Sequence, residues 1–204
     1  MKMVYDLHHI VVGMAGKALD ILVPRLSEEY DLKLHKPSLS TSISGYMDCA
    51  GKFIPSGDYG VIKLEQEYCS RKVNCCTITS HEMGHASFYQ NFALYKKFDE
   101  EDTEGYINLL EEGVSEKFMK KGLKILKDEK HITALDYYSR STRIFLSNSI
   151  KGLFPDQYFL GELVVDFYLK KGVKMKDLVV RADEFKANIE KVGWENLIKF
   201  YSNN

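Results

Sequence analysis

A five-residue stretch, His81-Glu82-Met83-Gly84-His85, has the residue types and spacing of a metal-binding motif. If this stretch is helical, its two histidines lie on one face of the helix, about one turn apart. Their imidazoles can then converge on one metal ion, and Glu82 lies close enough to take a proton from a water molecule beside that metal. A chance match is the alternative in a chain with six histidines. The prediction therefore depends on a further ligand.

A catalytic zinc site needs a third protein ligand and one open position. In one group of such sites the motif continues to H-E-x-x-H-x-x-G-x-x-H, but here Phe88 and Asn91 occupy the Gly and third His positions. That solution is excluded, and a glutamate from a later helix is the other one. A helix plotted over residues 104–128 has an apolar stripe interrupted by Glu112 and Glu116. Two carboxylates in such a stripe are costly unless a positive group meets them, as a zinc ion with imidazole ligands would.

We therefore predict that Glu112 is the third metal ligand, beside both histidines of the motif. Glu116, one turn beyond it, is placed to accept the free N–H of a ligand imidazole. Glu111 is the competing ligand, since it is adjacent and equally acidic, but it falls nearer to a second, wholly apolar stripe of the helix. A further alternative is that Glu112 and Glu116 are surface residues near Lys120.

These residues resemble the gluzincin metallopeptidases, the group that contains thermolysin and the zinc aminopeptidases. In that group the motif is followed on the next helix by a glutamate, often within Glu-Gly-x-Ala-Glu, and this chain has Glu112-Gly113-Val114-Ser115-Glu116. The interval after His85 is longer than in the aminopeptidases. In the aminopeptidase-like members, a Tyr-x-x-Gly that opens a later helix supplies a hydroxyl to the tetrahedral intermediate. Tyr158 and Gly161 match that pair.

The resemblance implies a zinc metallopeptidase that hydrolyses the peptide bonds of a peptide or protein substrate. One Zn²⁺ would activate a water molecule, with Glu82 as general base and Tyr158 as the group that stabilises the oxyanion. The substrate would lie extended against a sheet edge by strand addition. Residues 59–65 form the clearest strand. The predicted substrate contacts in it are Gly60, Val61 and Ile62.

Two other functions fit the same residues. One is a protease dedicated to a single regulatory protein. The other is a non-catalytic or autoinhibited metal-binding module, whose C-terminal residues 174–204 fill the cleft. Cleavage of unrelated unfolded proteins would separate a general peptidase from a dedicated one, and a closed four-ligand metal site would argue against catalysis. Residues 45–49 match the Gly-x-Met-Glu-Asn strand of the aminopeptidases poorly, so the choice between endopeptidase and exopeptidase action stays open.

The elements that must position these residues predict an α+β chain. Residues 31–66 alternate loosely and are punctuated by Gly and Pro, which predicts a small, mainly antiparallel sheet. Thr77, Thr79 or Ser80 is expected to begin the motif helix. Strands precede most helices, which predicts the α+β class. A chain of 204 residues is most simply one domain, and the resemblance implies that this domain, over residues 1–204, is zincin-like. Its first part, 1–96, holds a helix, the sheet and the motif helix, and 97–204 is a helical part with the third ligand. Helices are predicted at 4–30 (with Pro24 as a kink or break), 104–128, 130–150, 157–171 and 174–201.

Composition bounds the partners and the compartment. The chain has 204 residues, 45% hydrophobic and 28% charged, with a formal net charge of -1, so neither nucleic acid nor an anionic membrane is expected as a partner. The apolar run at residues 10–15 is too short to span a bilayer, and we expect a cytoplasmic protein. The four cysteines are expected to be reduced, with a Cys49–Cys69 disulfide as the alternative. The acidic segment 96–105 is expected to be solvated surface. The oligomeric state is left open.

Overall fold

The structure, a computed structural model, describes residues 2–43, 50–95, 106–151 and 157–185. Within these ranges the predicted α+β class is confirmed, since the chain forms mainly helices together with one small three-stranded sheet. No helix in the described ranges is both long and apolar enough to cross a membrane. The elements in chain order are α1 Lys2–Tyr30, β1 Ser38–Ser42, β2 Gly51–Ile54, β3 Val61–Glu65, a 3₁₀ turn Tyr68–Ser70, α2 Lys72–Asn91, α3 Tyr106–Asp128, α4 Ala134–Lys151, α5 Gln157–Lys170 and α6 Met175–Val180.

The helices lie close to where the apolar periodicity predicts them. α1 continues through Pro24, so the proline does not end it. The last predicted helix is described only as far as residue 185, and its first segment, α6, ends at Val180. Three other predictions lie outside the described residues: the segment 45–49, the acidic segment 96–105 and most of the C-terminal segment proposed to fill the cleft.

The sheet is mixed, whereas the sequence predicted a mainly antiparallel one. Its strand order is β1-β3-β2, with β1 parallel and β2 antiparallel to β3. Alternation along a strand shows which side chains share a face, but the direction of a neighbouring strand depends on the connections between them. The middle strand is the most buried of the three, with Ile62 and Leu64 fully covered.

The position of β3 corrects the predicted substrate strand. The predicted strand is present as Val61–Glu65. Because β3 has hydrogen-bonded neighbours on both sides, no third strand can add to it, so it is not the sheet edge that the strand-addition prediction requires. Strand addition therefore cannot bring a substrate to Gly60, Val61 and Ile62. Val61 and Ile62 are paired on both sides, and the Gly60 carbonyl accepts a hydrogen bond from the Ser38 N–H at 3.0 Å. Among the described strands, β2 and β1 form the sheet edges.

The motif helix α2 begins at Lys72, earlier than predicted. The hydroxyl of Thr77 donates to the Val73 carbonyl at 2.7 Å, and that of Ser80 donates to the Cys76 carbonyl at 2.7 Å. Hydroxyl side chains that bond back to the preceding turn are satisfied inside a helix, so here they do not mark its start.

The core runs between α1, α2, α3 and the sheet. From α2, Met83, Ala86 and Phe88 are fully buried, and from α3, Leu110 and Val114 are fully buried. These apolar faces fix how the two helices are rotated about their axes, and so fix which side carries the motif histidines. The thiols of the core, Cys69, Cys75 and Cys76, are buried and form no disulfide with one another.

Candidate metal centre

A close helix crossing brings the motif against α3. A Cβ added to Gly84 would lie 2.3 Å from the Cα of Ser115, a distance that no side chain tolerates. Glycine at this position therefore lets the backbones of α2 and α3 touch. The crossing sets the two motif histidines, one turn apart on α2, opposite the acidic residues 111–116 of α3.

Three side-chain atoms from the two helices converge. His81 Nε2 lies 3.3 Å from His85 Nε2. Glu112 Oε2 lies 3.4 Å from His81 Nε2 and 3.6 Å from His85 Nε2. When the two Nε2 atoms carry no proton, their lone pairs and the carboxylate oxygen repel at these distances unless a positive charge lies among them. This group could hold a metal ion.

Each histidine presents its other ring nitrogen to a further carboxylate. His81 Nδ1 lies 3.4 Å from Glu116 Oε1, and His85 Nδ1 lies 2.9 Å from Glu111 Oε1. With the proton on Nδ1, each imidazole donates outward and directs the Nε2 lone pair inward, towards the common point. The predicted role of Glu116 agrees with its place beside His81.

The carboxylates make this part of the protein favour positive charge. Burial lowers the pKa of His81, but Glu112 and Glu116 raise it by more, and the resulting pKa is about 10. Burial also lowers the pKa of His85, but the carboxylates of Glu111 and Glu82 together outweigh it, so that this pKa too is raised. In the absence of a metal ion the imidazoles therefore hold protons strongly.

The three converging atoms lie in a cleft of about 390 Å³. Glu82, only 4% exposed, lines the cleft beside the histidines. Its carboxylate lies against β2, because a Cβ added to Gly51 would be 3.4 Å from Glu82 Oε1. The edge strand β2 forms one wall through Gly51, Lys52 and Phe53. The cleft, the carboxylate of Glu82 and the edge strand β2 thus meet at the candidate metal centre.

A second close crossing brings Tyr158 into the same cleft. A Cβ added to Gly113 of α3 would lie 2.0 Å from the carbonyl oxygen of Gly161 in α5, so these two helices also touch through their backbones. Tyr158 lies three residues before Gly161 and lines the cleft, with its ring centroid 5.9 Å from that of His81. The Tyr-x-x-Gly pair is therefore joined physically to Glu112-Gly113.

Comparison with known proteins adds no relative. No protein-family model matches the chain, and neither a curated protein nor a solved structure has significant similarity to it. The resemblance to gluzincins therefore rests on the residues of the candidate metal centre alone.

The structure assigns a different place to Glu111 from the one that the sequence considered. Glu111 lies behind His85, outside the three converging atoms. The acidic pair 111–112 could have indicated this place, because two ligand histidines need two outer carboxylates, and Glu111 and Glu116, on either side of Glu112 in the chain, can reach one each. The sequence analysis considered Glu111 and Glu112 only as alternatives for the third ligand. Other cleft residues that it missed are Lys52, Tyr95 and Asn108, for which no local pattern gave a signal.

Proposed function

We propose that this protein is a zinc metallopeptidase of the gluzincin type. The observation that carries the proposal is the convergence of His81 Nε2, His85 Nε2 and Glu112 Oε2, with mutual separations of 3.3, 3.4 and 3.6 Å. Atoms about 2.0–2.2 Å from a tetrahedral zinc ion lie roughly 3.3–3.6 Å from one another. Two imidazoles and one carboxylate also match the ligand preference of zinc and leave a fourth position open.

These three residues would hold the zinc ion, and the chain supplies the remaining groups. When bound, zinc supplies Lewis-acid chemistry, polarising a carbonyl group and lowering the pKa of a water molecule. Glu82 is the general base: its carboxylate takes the proton of the attacking water and gives it to the leaving nitrogen. Tyr158 donates its hydroxyl proton in a hydrogen bond to the oxygen on which negative charge develops. The place of both side chains in the cleft supports these roles.

The substrate is proposed to add to β2, at the wall of the cleft. The Ala50 carbonyl accepts from the Glu65 N–H at 3.0 Å, so the backbone groups of Ala50 and Lys52 face β3. Since antiparallel pairing alternates, those of Gly51 and Phe53 face the opposite way, towards the edge that no other described strand covers. An extended peptide can hydrogen-bond there. The peptide would pass in front of Glu82. Because β2 would bind the peptide through backbone hydrogen bonds, this contact would not depend on the side chains of the substrate.

The decisive experiment compares the purified chain with Glu82→Gln. The unaltered protein should contain one zinc ion and cleave unfolded test proteins, whereas Glu82→Gln should keep its zinc and lose at least roughly 100-fold in rate. A fully active Glu82→Gln protein would overturn the mechanism. Zinc binding without cleavage of any unfolded protein would instead favour a dedicated protease or a non-catalytic module.

A further inference from the structure

We infer that Tyr95 and Glu111 are positioning residues for His85, acting in series. The Tyr95 hydroxyl donates to Glu111 Oε1 at 3.1 Å, and the same oxygen lies 2.9 Å from His85 Nδ1. The inference rests on the metal-binding part of the proposed function, and it concerns the orientation of one ligand rather than the chemistry of hydrolysis.

The carboxylate of Glu111 is committed to this task. Its side chain is 9% exposed, so water contributes little to its solvation. Oε1 accepts from two donors, a phenol and an imidazole N–H, which stabilise its charge and fix its direction. A carboxylate oxygen held in this way is directed to the outer nitrogen of His85, which leaves Glu112 as the carboxylate that faces both Nε2 atoms. The hydrogen bond from Tyr95 thus favours Glu111 as the outer partner of His85 and Glu112 as the metal ligand.

The backbone at Tyr95 is itself fixed. α2 ends as the Phe92 N–H bonds to the Phe88 carbonyl at 2.8 Å, and the Tyr95 N–H bonds to the Phe92 carbonyl at 3.1 Å. Its ring lies edge-on to that of Tyr89, with centroids 5.6 Å apart. The hydroxyl that supports Glu111 therefore extends from the turn that directly follows α2, the helix that carries the ligand histidines. Glu111 Oε1 thus lies between His85 of α2 and Tyr95 of the turn at its C-terminal end.

The two ligand histidines are supported unequally. His81 Nδ1 is 3.4 Å from Glu116, against 2.9 Å from His85 Nδ1 to Glu111. The contact of His85 is the shorter of the two, and Tyr95 supports it. We therefore expect His85 to be the more tightly oriented ligand, and the loss of Glu111 to cost more metal affinity than the loss of one hydroxyl group that lines the cleft.

The test is a double-mutant cycle on metal affinity and on the spectrum of the cobalt-loaded protein. Glu111→Ala should weaken Zn²⁺ binding roughly 10- to 100-fold. Tyr95→Phe should weaken it roughly two- to tenfold, the value of one hydrogen bond. In the Glu111→Ala protein, Tyr95→Phe should have no further effect, because the hydroxyl acts through the carboxylate. The visible Co²⁺ bands should change in both single variants, and Glu111→Gln, which keeps an acceptor, should restore part of the affinity.

Tyr89→Phe is the matched control. It keeps the ring that packs against Tyr95 but removes a hydroxyl that donates to the Gly57 carbonyl at 2.5 Å, so Zn²⁺ affinity and the Co²⁺ spectrum should be unchanged. Tyr95→Phe removes one oxygen atom and keeps the ring, so it tests the idea even if Glu111→Ala does not fold. Unchanged affinity in Tyr95→Phe, or additive effects in the cycle, would overturn the inference while leaving the proposed function intact. An unaltered chain that binds no metal would overturn both.

Discussion

Two charge clusters involve α3, one towards α5 and one towards α2, and they are built differently. Towards α5, Lys117 contacts Glu162 at 3.0 Å and Asp166 at 2.6 Å, and Lys120 also pairs with Glu162. Among the described residues, two positive groups thus meet two negative ones. We call this group the lysine cluster.

Towards α2, carboxylates outnumber basic side chains among the described residues, and we call this group the acidic cluster. Glu111, Glu112 and Glu116 surround the two motif histidines, and the carboxylate of Glu82 is near enough to act on the pKa values of both. Four carboxylates face two imidazoles, which are neutral when they bind a metal. Such a surplus of buried negative charge is unfavourable in an isolated protein, and it is typical of a site that binds a cation. The contrast separates a structural network from a functional one on a single helix.

The largest effect is expected when one carboxylate is removed from the acidic cluster, because this tests whether the cluster binds a metal ion. Glu112→Ala should abolish stoichiometric zinc, an effect larger than the roughly 10- to 100-fold expected for an outer partner, and the neighbouring Glu111→Ala should retain it at reduced affinity. Metal content after dialysis, with Kd from competition against a chelator, measures both. If Glu111→Ala lost the metal and Glu112→Ala kept it, the ligand role would pass to Glu111.

A second change strikes the contact that lies between the two clusters. Gly113→Ala would place a methyl group 2.0 Å from the Gly161 carbonyl oxygen, so we expect a destabilisation of about 3 kcal/mol. For a chain of this length, Tm should fall by roughly 6–12 °C. The control is Gly13→Ala in α1, where no heavy atom lies within 4 Å of the added methyl. This helix-interior change should raise stability by about 0.5–1 kcal/mol. Equal Tm values for the two variants would show that α3 and α5 are not in backbone contact.

The third prediction sets the two clusters against each other directly. Burial lowers the pKa of Lys117, but Glu162 and Asp166 outweigh it and raise the pKa, so this lysine stays charged. Lys117→Met leaves the acids opposite it undercompensated and should cost about 1–3 kcal/mol, below the value for a fully buried pair because these groups are partly exposed. Zinc affinity should not change. Metal-free Glu112→Ala should also lose stability at pH 7, because Glu112 raises the pKa of His81 and so stabilises its protonated form, but unlike Lys117→Met it should also lose stoichiometric zinc. Chemical denaturation with EDTA present measures both, and Lys124→Met, on the exposed face of α3, is the control.

The candidate site was more predictable from sequence than the arrangement of the sheet. His81 and His85 are four positions apart on one helix, and Glu112 and Glu116 four apart on another, so helical periodicity alone places each pair on one face of its helix. The two carboxylates also interrupt an apolar stripe of their helix, and this interruption itself indicates a site that binds a positive group. The middle position of β3 and the parallel pairing of β1 depend on contacts between distant segments, for which the alternating pattern holds no information. The support of Glu111 by Tyr95 was likewise not predictable, because it joins the segment that follows α2 to a side chain 16 positions later.

The smallest expected effect concerns the acid limit of the lysine cluster. Burial raises the pKa of Glu162, but Lys117 and Lys120 lower it by more, so the net pKa lies below the ordinary value of 4.5. A carboxyl whose pKa is lowered by folding stabilises the protein at pH values above 4.5, and that contribution is lost as the pH falls through the lowered pKa. The unaltered chain should therefore be more stable than Glu162→Gln at pH 7, and the two should converge as the pH falls below the lowered pKa of Glu162, measured as Tm against pH in EDTA. Glu184→Gln is the control: Glu184 also pairs with a cation, Arg181, but on the exposed surface, where solvent screening leaves little to lose. A constant difference between Glu162→Gln and the unaltered chain across this range would mean that Glu162 acts by packing, and the lysine cluster would then no longer be the charge-balanced counterpart of the acidic one.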